Sequence, residues 1–294
     1  MTNGKTIFNH YVPQFYLRNF SIIGQETIWC FDKITRKKFK SKIRKIGCEK
    51  SYYSQEIEHY LADIESQASP VLNKLIDNKD VGKLLWNERE KLASFISIQD
   101  NRTYDLRDTI KPAKKWLLEK IIDSMPEEKK TLSKEQINNY INNKAEAMAI
   151  EIQEDVLKKE VMMFADMLLG LQWVLLENNT DMLLWTSDSP VNKFNPTDCP
   201  PYMGNLGYLS PGIEIFLPLT PKLCLSLCDI GQHGLLPSEK ITMYSTENVI
   251  YQNDLQFCWA NRHIFSQDSN FDLADKILDA YPSKKHIVRV NFST

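Results

Sequence analysis

The residues best placed to do chemistry are two polar side chains on an otherwise apolar helical stripe. In a helix predicted over about 87–109, Gln99 and Arg102 share a face with Leu92, Phe95 and Leu106. Burying an amide and a guanidinium without partners costs several kcal/mol. The pattern therefore predicts that both side chains meet an acceptor, either in the protein or on a ligand.

Three further titratable residues have two interpretations each. His10 precedes a short helix started by Pro13, and is either a capping or core-bonding histidine or a general acid/base or phosphate donor. Asp188 follows a strand predicted over 183–186, and either caps its own turn or presents a catalytic carboxylate on a rigid base. Glu65 lies on the flank of a long helix, as a solvated residue or as a second carboxylate.

Together these residue types are the parts that a phosphodiester or nucleotide site needs. His10 supplies a base, Gln99 an orienting amide and Arg102 an anion clamp. Asp188, with Glu65 beside it, supplies a metal ligand or a histidine partner. The structural alternative is that Arg102 forms a buried ion pair and that the whole set is a polar network of the core.

A dense basic run offers a second kind of site. Eight basic residues and no acidic one occur between Lys33 and Lys45, directly after a predicted strand over 27–31. The run predicts a β-hairpin with a cationic tip, which is either a solvated sheet edge protected by lysines or a phosphate-binding surface. A salt-sensitive affinity separates the two. The candidate substrate-binding residues are Gln14, Gln99, Asn253, Lys37, Lys38 and Lys40.

Composition narrows the class of protein. The chain has 294 residues and a net charge of -2, so bulk charge points to no special partner. No apolar run is long enough for a membrane span, and the first ten residues lack a secretory core. Six scattered cysteines without a CxxC pair predict free thiols in a reducing cytoplasm rather than a zinc site. Phosphate-loop, HExxH and GxSxG signatures are missing, so the cofactor stays unassigned, with a divalent metal as the candidate.

The predicted elements must position these side chains. We expect one α+β domain over 1–294, with sub-regions at 1–54, 55–177 and 178–294. It comprises an N-terminal β-hairpin, a central helical bundle with long helices, and mostly antiparallel C-terminal strands joining one mixed sheet. The predicted helices cover about 55–77, 87–109, 112–124, 133–170 and 246–261, and the later strands cover 183–186, 213–217, 223–227, 262–266 and 287–292.

Several short motifs carry a family resemblance. The opening His10-Tyr-Val-Pro13-Gln-Phe-Tyr-Leu-Arg-Asn-Phe20, the Gln99-x-x-Arg102-Thr103 segment and Thr186-Ser-Asp188-Ser-Pro190-Val191 stand out. With them the chain resembles an uncharacterised, mainly bacterial family, domain of unknown function 4238. The resemblance implies that His10, Gln99, Arg102 and Asp188 are recurring polar positions, and it brings no activity. It also implies a bacterial or mobile-element setting, including anti-phage defence or toxin-like roles.

Two functional hypotheses follow. The first is a hydrolase acting on a phosphate-containing substrate, most plausibly a nuclease-like effector that cleaves RNA or DNA, with His10, Arg102, Asp188 and Glu65 as catalytic residues. The second is a non-catalytic nucleic-acid-binding or sensor protein, in which the basic hairpin docks nucleic acid and the polar residues form a buried structural network. An open pocket lined by His10, Arg102 and Asp188 would favour the enzyme, and a sealed, mutually bonded core would favour the binding protein.

Overall fold

The N-terminal region contains the predicted β-hairpin. This computed structural model describes residues 8–50, 52–126, 132–198, 204–236 and 239–285. The first elements are β1 (Phe8–His10), α1 (Gln14–Leu17), a 3₁₀ turn (Arg18–Phe20), β2 (Thr27–Asp32), β3 (Lys38–Lys42), a second 3₁₀ turn (Ile43–Lys45) and β4 (Cys48–Lys50). Pro13 stands just before α1, where its missing N–H costs no helical hydrogen bond.

Long helices make up the centre of the chain. They are α2 (Gln55–Asn78), α3 (Trp86–Asn101), α4 (Tyr104–Asp123), α5 (Lys134–Lys159) and α6 (Val161–Leu169). Ser54 caps α2, and Ser133 forms a capping box with Gln136 at the start of α5. Pro70 lies inside α2 without ending it. The predicted long helix over 133–170 is two helices that meet at Glu160.

The helix predicted over 87–109 is also two helices, and this correction matters for the site. The chain leaves the helical path between α3 and α4, with Arg102 as the C-cap of α3. Gln153 of α5 donates from its side-chain amide to the carbonyl oxygens of Asn101 and Thr103, both at 2.9 Å. Those two bonds satisfy backbone groups that the break exposes. The helix predicted over 112–124 is the second half of α4.

The C-terminal region supplies most of the strands. In order it contains β5 (Gln172–Asn178), β6 (Thr186–Ser187), β7 (Asn192–Phe194), β8 (Glu214–Thr220), β9 (Leu223–Cys228), α7 (Ile230–His233), β10 (Lys240–Met243), α8 (Thr246–Trp259), β11 (His263–Ser266), α9 (Asp272–Ala280) and a 3₁₀ turn (Pro282–Lys285). The strand predicted over 287–292 lies outside the described residues. The sequence did not predict α9, and it left the segment that forms β5 undecided.

The fold is α+β, but its strands are divided among separate sheets. In the described part of the chain, β10-β5-β9-β8-β7 form one sheet, β3-β2-β11-β6 form a second, and β1 pairs with β4. All pairings are antiparallel except the β10–β5 pair. The predicted α+β fold, with its N-terminal hairpin and mostly antiparallel C-terminal strands, is confirmed, and the first of these sheets is mixed; β6 and β11 lie instead with the hairpin in the second sheet. The N-terminal hairpin joins the C-terminal chain through β2 and β11.

The two central strands of the second sheet, β2 and β11, are buried on both faces. One face contributes Ile28, Cys30 and Phe265 to the main apolar cluster, which also packs the first sheet against the helices. The other face places Phe31 and Ile264 beneath α8 and α9, in a smaller cluster. Burial on both faces fixes the register of such a sheet. None of the helices within the described ranges is long and apolar enough to cross a membrane.

Candidate functional site

Three of the predicted site residues meet around the guanidinium of Arg102. Both Nε and Nη2 of Arg102 donate to Oε1 of Gln99, at 2.9 and 2.6 Å, and Nη1 donates to Oε1 of Glu65 at 2.6 Å. Gln99 in turn donates to the carbonyl oxygen of Tyr11 at 3.0 Å. The Arg102 side chain is 0% exposed and that of Glu65 is 26% exposed. The expected acceptors exist, and they are protein groups.

His10 lies at the edge of this cluster. Burial is the largest influence on its pKa, which is lowered; the charge of Arg102 lowers it too, while Glu65 and a hydrogen bond with the Arg44 backbone oppose the shift. Its Nε2 atom is buried and makes no hydrogen bond with the residues that the structure describes. A neutral imidazole with one unused nitrogen beside a carboxylate is an arrangement that general bases use.

A second carboxylate stands near the first. Glu58 lies seven residues before Glu65 on α2. Its carboxylate accepts a hydrogen bond from the Asn9 side-chain amide at 2.9 Å. Burial raises the pKa of Glu58, and the Glu65 charge raises it further, while Asn9 and Arg102 act in the opposite direction. The outer side of the Arg102 cluster is therefore acidic, which is unfavourable for binding a phosphate there.

Sequence reasoning missed a second buried arginine. Arg107, in the first turns of α4, donates to the side chain of Gln153 and to the carbonyl oxygen of Tyr52. Its guanidinium also lies 3.6 Å from the centroid of the Tyr52 ring, close enough for a cation–π contact. No local pattern marked Arg107, because the groups that hold it, Gln153 and the Tyr52 carbonyl oxygen, lie about fifty residues away in the chain.

Asp188 does not join the Arg102 cluster. Its carboxylate accepts three backbone N–H bonds, from Asn261 at 2.8 Å, Arg262 at 2.9 Å and His263 at 2.8 Å. Its own amide donates to the carbonyl oxygen of His263 at 3.1 Å. The side chain is 2% exposed, and its histidine neighbour is His263, whose Nδ1 lies 3.7 Å away. Asp188 thus holds the start of β11, and the predicted partnership with His10 is absent.

The other amide candidates are also accounted for. Asn253 of α8 is fully buried, accepts from the Trp185 amide at 2.8 Å and donates to the Leu183 carbonyl at 2.9 Å. The Asn253 side chain therefore satisfies one backbone N–H and one backbone carbonyl group of the chain just before β6. Gln14 is half-buried in the first turn of α1, and no hydrogen bond joins its side chain to the described residues.

Several cations of the basic run have partners inside the protein. Lys33 is fully buried, and its ammonium donates to the carbonyl oxygens of Phe257 and Ala260 at the end of α8, at 2.7 and 2.6 Å. A buried lysine there neutralises the negative end of the helix. The α9 carboxylates take two more cations: Arg36 pairs with Asp279, and Lys38 pairs with Asp272 and Asp275. Lys40 lies 4.8 Å from the centroid of the Trp29 ring.

Four exposed cations of the run have neither an ionic nor an aromatic partner. Lys37, Lys42, Arg44 and Lys45 form no ion pair and no cation–π contact with any residue in the described ranges; we call them the unpaired hairpin cations. They occupy the tip, the end of β3 and the 3₁₀ turn that follows it. Of the three hairpin lysines predicted to bind substrate, Lys38 is ion-paired and Lys40 lies over the Trp29 ring, whereas Lys37 has neither kind of partner among the described residues.

No metal centre is apparent among the described side chains. No group of three or more His, Cys, Asp or Glu residues in that part of the chain could hold a metal ion. The described cysteines are Cys30, Cys48, Cys224, Cys228 and Cys258, and all five are free thiols.

These features define an α+β protein with a sealed arginine network and a hairpin whose cations are partly exposed. The chain belongs to the family described as protein of unknown function (DUF4238), whose profile matches residues 9–270. No curated protein and no solved structure matches the chain.

Proposed function

We propose that this protein binds nucleic acid through the unpaired hairpin cations, and that its buried polar network is structural. The observation that carries this proposal is the division of the basic run. Lys33, Arg36 and Lys38 are held by protein acceptors, whereas Lys37, Lys42, Arg44 and Lys45 are exposed and have no acidic partner within the described chain. Clustered cations of this kind are suited to a phosphate backbone.

The state of the Arg102 cluster supports the same conclusion. An anion clamp must offer its guanidinium to the ligand, but Arg102 is 0% exposed and is paired with Glu65. The carboxylate of Asp188 is bound by three backbone N–H groups and faces the start of β11. Both side chains therefore serve the fold in the way that buried, fully bonded polar groups do.

The test is the salt dependence of binding to a fluorescent oligonucleotide. The variant Lys37→Glu/Arg44→Glu/Lys45→Glu reverses three of the unpaired hairpin cations. The matched control Lys115→Glu/Lys120→Glu/Lys144→Glu reverses three exposed lysines of α4 and α5 and changes the net charge equally. We expect wild-type affinity to fall with salt. The hairpin variant should bind far more weakly, and the slope of log K against log salt should shrink by about 2 to 3.

Two results would contradict this proposal. One is equal affinity of the two charge-reversal variants, which would show that net charge alone acts. The other is wild-type binding that does not respond to salt, or no binding at all.

A second candidate function rests on His10. Its buried and unused Nε2, beside the partly exposed Glu65, is suited to proton transfer in a phosphate-ester hydrolase, such as a nuclease-like effector in bacterial defence or toxicity. Wild type, His10→Gln and Glu65→Gln would be expressed in bacteria, with growth and the integrity of total RNA and DNA followed. This function requires damage by wild type only, with similar melting temperatures for all three proteins. Intact nucleic acid in cells expressing wild type would rule it out.

A further inference from the structure

The hairpin has two chemically different faces. Side chains alternate along a strand, so Lys38 and Lys40 of β3 share one face, and Lys37 and Phe39 point to the other. The first face is occupied, because α9 carboxylates bind Lys38 and the Trp29 ring lies under Lys40. The second face carries an exposed cation at Lys37 and an aromatic ring at Phe39 that is 37% exposed.

A cross-strand row extends this second face. The carbonyl oxygen of Lys37 accepts the Asp32 amide at 3.0 Å, and Asp32 lies opposite His263 in the β2–β11 register. On the far side, Asp188 follows β6. Its carboxylate accepts the His263 backbone N–H at 2.8 Å, and its Oδ2 atom lies 3.7 Å from Nδ1 of the His263 ring. The row therefore runs Lys37, Asp32, His263, Asp188 across the end of the sheet.

His263 is held in place within this row. Its Nδ1 lies 3.7 Å from the Asp188 carboxylate. Its ring centroid is 6.4 Å from that of Phe265, with the rings nearly parallel, and 6.3 Å from that of Phe39, with the rings nearly perpendicular. The two carboxylates of the row are turned inward, since Asp32 is 5% exposed and Asp188 is 1% exposed. What the face shows to solvent is thus the Lys37 cation, the Phe39 ring and the His263 imidazole, which is 27% exposed, with the half-exposed Arg262 guanidinium beside them on Asp32.

We propose that this face binds single-stranded nucleic acid, with a base stacked on Phe39 and the flanking phosphates at Lys37 and His263; the proposal rests on the nucleic-acid-binding function above. Exposed aromatic rings between cations bind single strands because an unpaired base offers its flat face to the ring. A duplex hides those faces in its own stack, so it would meet only the cations.

The test compares a single-stranded oligonucleotide with its duplex by fluorescence anisotropy. Phe39→Ala should lower the affinity for the single strand about tenfold and leave the affinity for the duplex unchanged. Phe39→Trp should retain single-strand binding, which also guards against a fold effect in the alanine variant. Trp116→Ala is the matched control, because Trp116 is an aromatic residue that is 44% exposed on α4. It should change neither affinity.

A separate substitution tests the phosphate contact. Lys37→Gln should lower the single-strand salt slope by about 0.7, the contribution of one phosphate contact. If Phe39→Ala leaves single-strand affinity intact while the hairpin charge reversal lowers it, the stacking face is overturned and the binding function stands. If wild type binds neither oligonucleotide, both proposals fall.

Discussion

Replacing Arg102 with methionine separates a structural arginine from a catalytic one. Methionine is apolar and unbranched like the stem of arginine, so the substitution removes mainly the guanidinium. That group makes two bonds to Gln99 and one to Glu65, and it is 0% exposed. If Arg102 is catalytic, its replacement should abolish activity and leave the fold nearly intact. If Arg102 is structural, its replacement must destabilise the protein.

The expected loss can be worked from the pair itself. Removing one partner of a buried ion pair costs about 3–5 kcal/mol, mostly because the other charge is left buried. Glu65 is 26% exposed and can recover water, which favours the lower end of that range, about 3 kcal/mol. At about 2.1 cal/mol/K per residue, unfolding 294 residues has an entropy of about 0.6 kcal/mol/K, so the melting temperature should fall by about 5 °C.

Urea denaturation of four proteins provides the assay. Wild type, Arg102→Met, Glu65→Gln and the double variant form a cycle whose coupling energy should exceed about 0.5 kcal/mol, since the two groups touch. The matched control is Arg18→Met, because Arg18 pairs with Glu26 at the surface, with 48% and 70% exposure. That variant should lose less than about 1 kcal/mol. An Arg102→Met protein that is within about 1 kcal/mol of wild type would refute the structural interpretation.

Three further substitutions test the remaining polar groups. Burial and Arg102 lower the pKa of His10 below 6.5, so the wild-type protein should lose stability as the pH falls through that value. In urea titrations between about pH 7.5 and 5.5, the His10→Gln variant should lose less stability than wild type. Asp188→Asn should cost about 2–3 kcal/mol in thermal melts, since a neutral amide cannot accept three N–H bonds equally well. Lys33→Met should cost about 2 kcal/mol and speed amide hydrogen exchange in the last turn of α8, whose carbonyl oxygens lose their donor.

The sequence predicted that Gln99 and Arg102 would meet acceptors because the argument was local. Gln99 and Arg102 break an apolar stripe three residues apart, and burial then demands acceptors whatever the tertiary structure. The helix break beside them left no such mark, since the apolar spacing runs on through Leu106. The break is stabilised by Gln153, some fifty residues later on α5, and single-sequence patterns do not reveal contacts at that separation.

Three other features were left open or predicted wrongly, each for its own reason. The segment that forms β5 is a short apolar run, and such a run fits a buried strand and a buried helix equally well. Lys33 looked like the other cations of its run because nothing nearby shows that α8 ends above it. Asp188 was predicted to meet His10, but a carboxylate after a strand is held first by nearby backbone N–H groups, here those at 261–263.

Several buried polar side chains bond backbone groups at places where regular structure ends. In this fold, a buried polar side chain is therefore a poor indicator of a functional site. Gln153 bonds the backbone at the α3–α4 break, Asn253 bonds the chain before β6, and Lys33 binds the end of α8. Each is placed where the backbone leaves regular structure and would otherwise keep unpaired groups inside the protein. Polar residues held in this way have little capacity left for a ligand. The capacity lies instead with exposed groups whose neighbours leave them unbound, and on the second hairpin face those are Lys37 and the ring of Phe39.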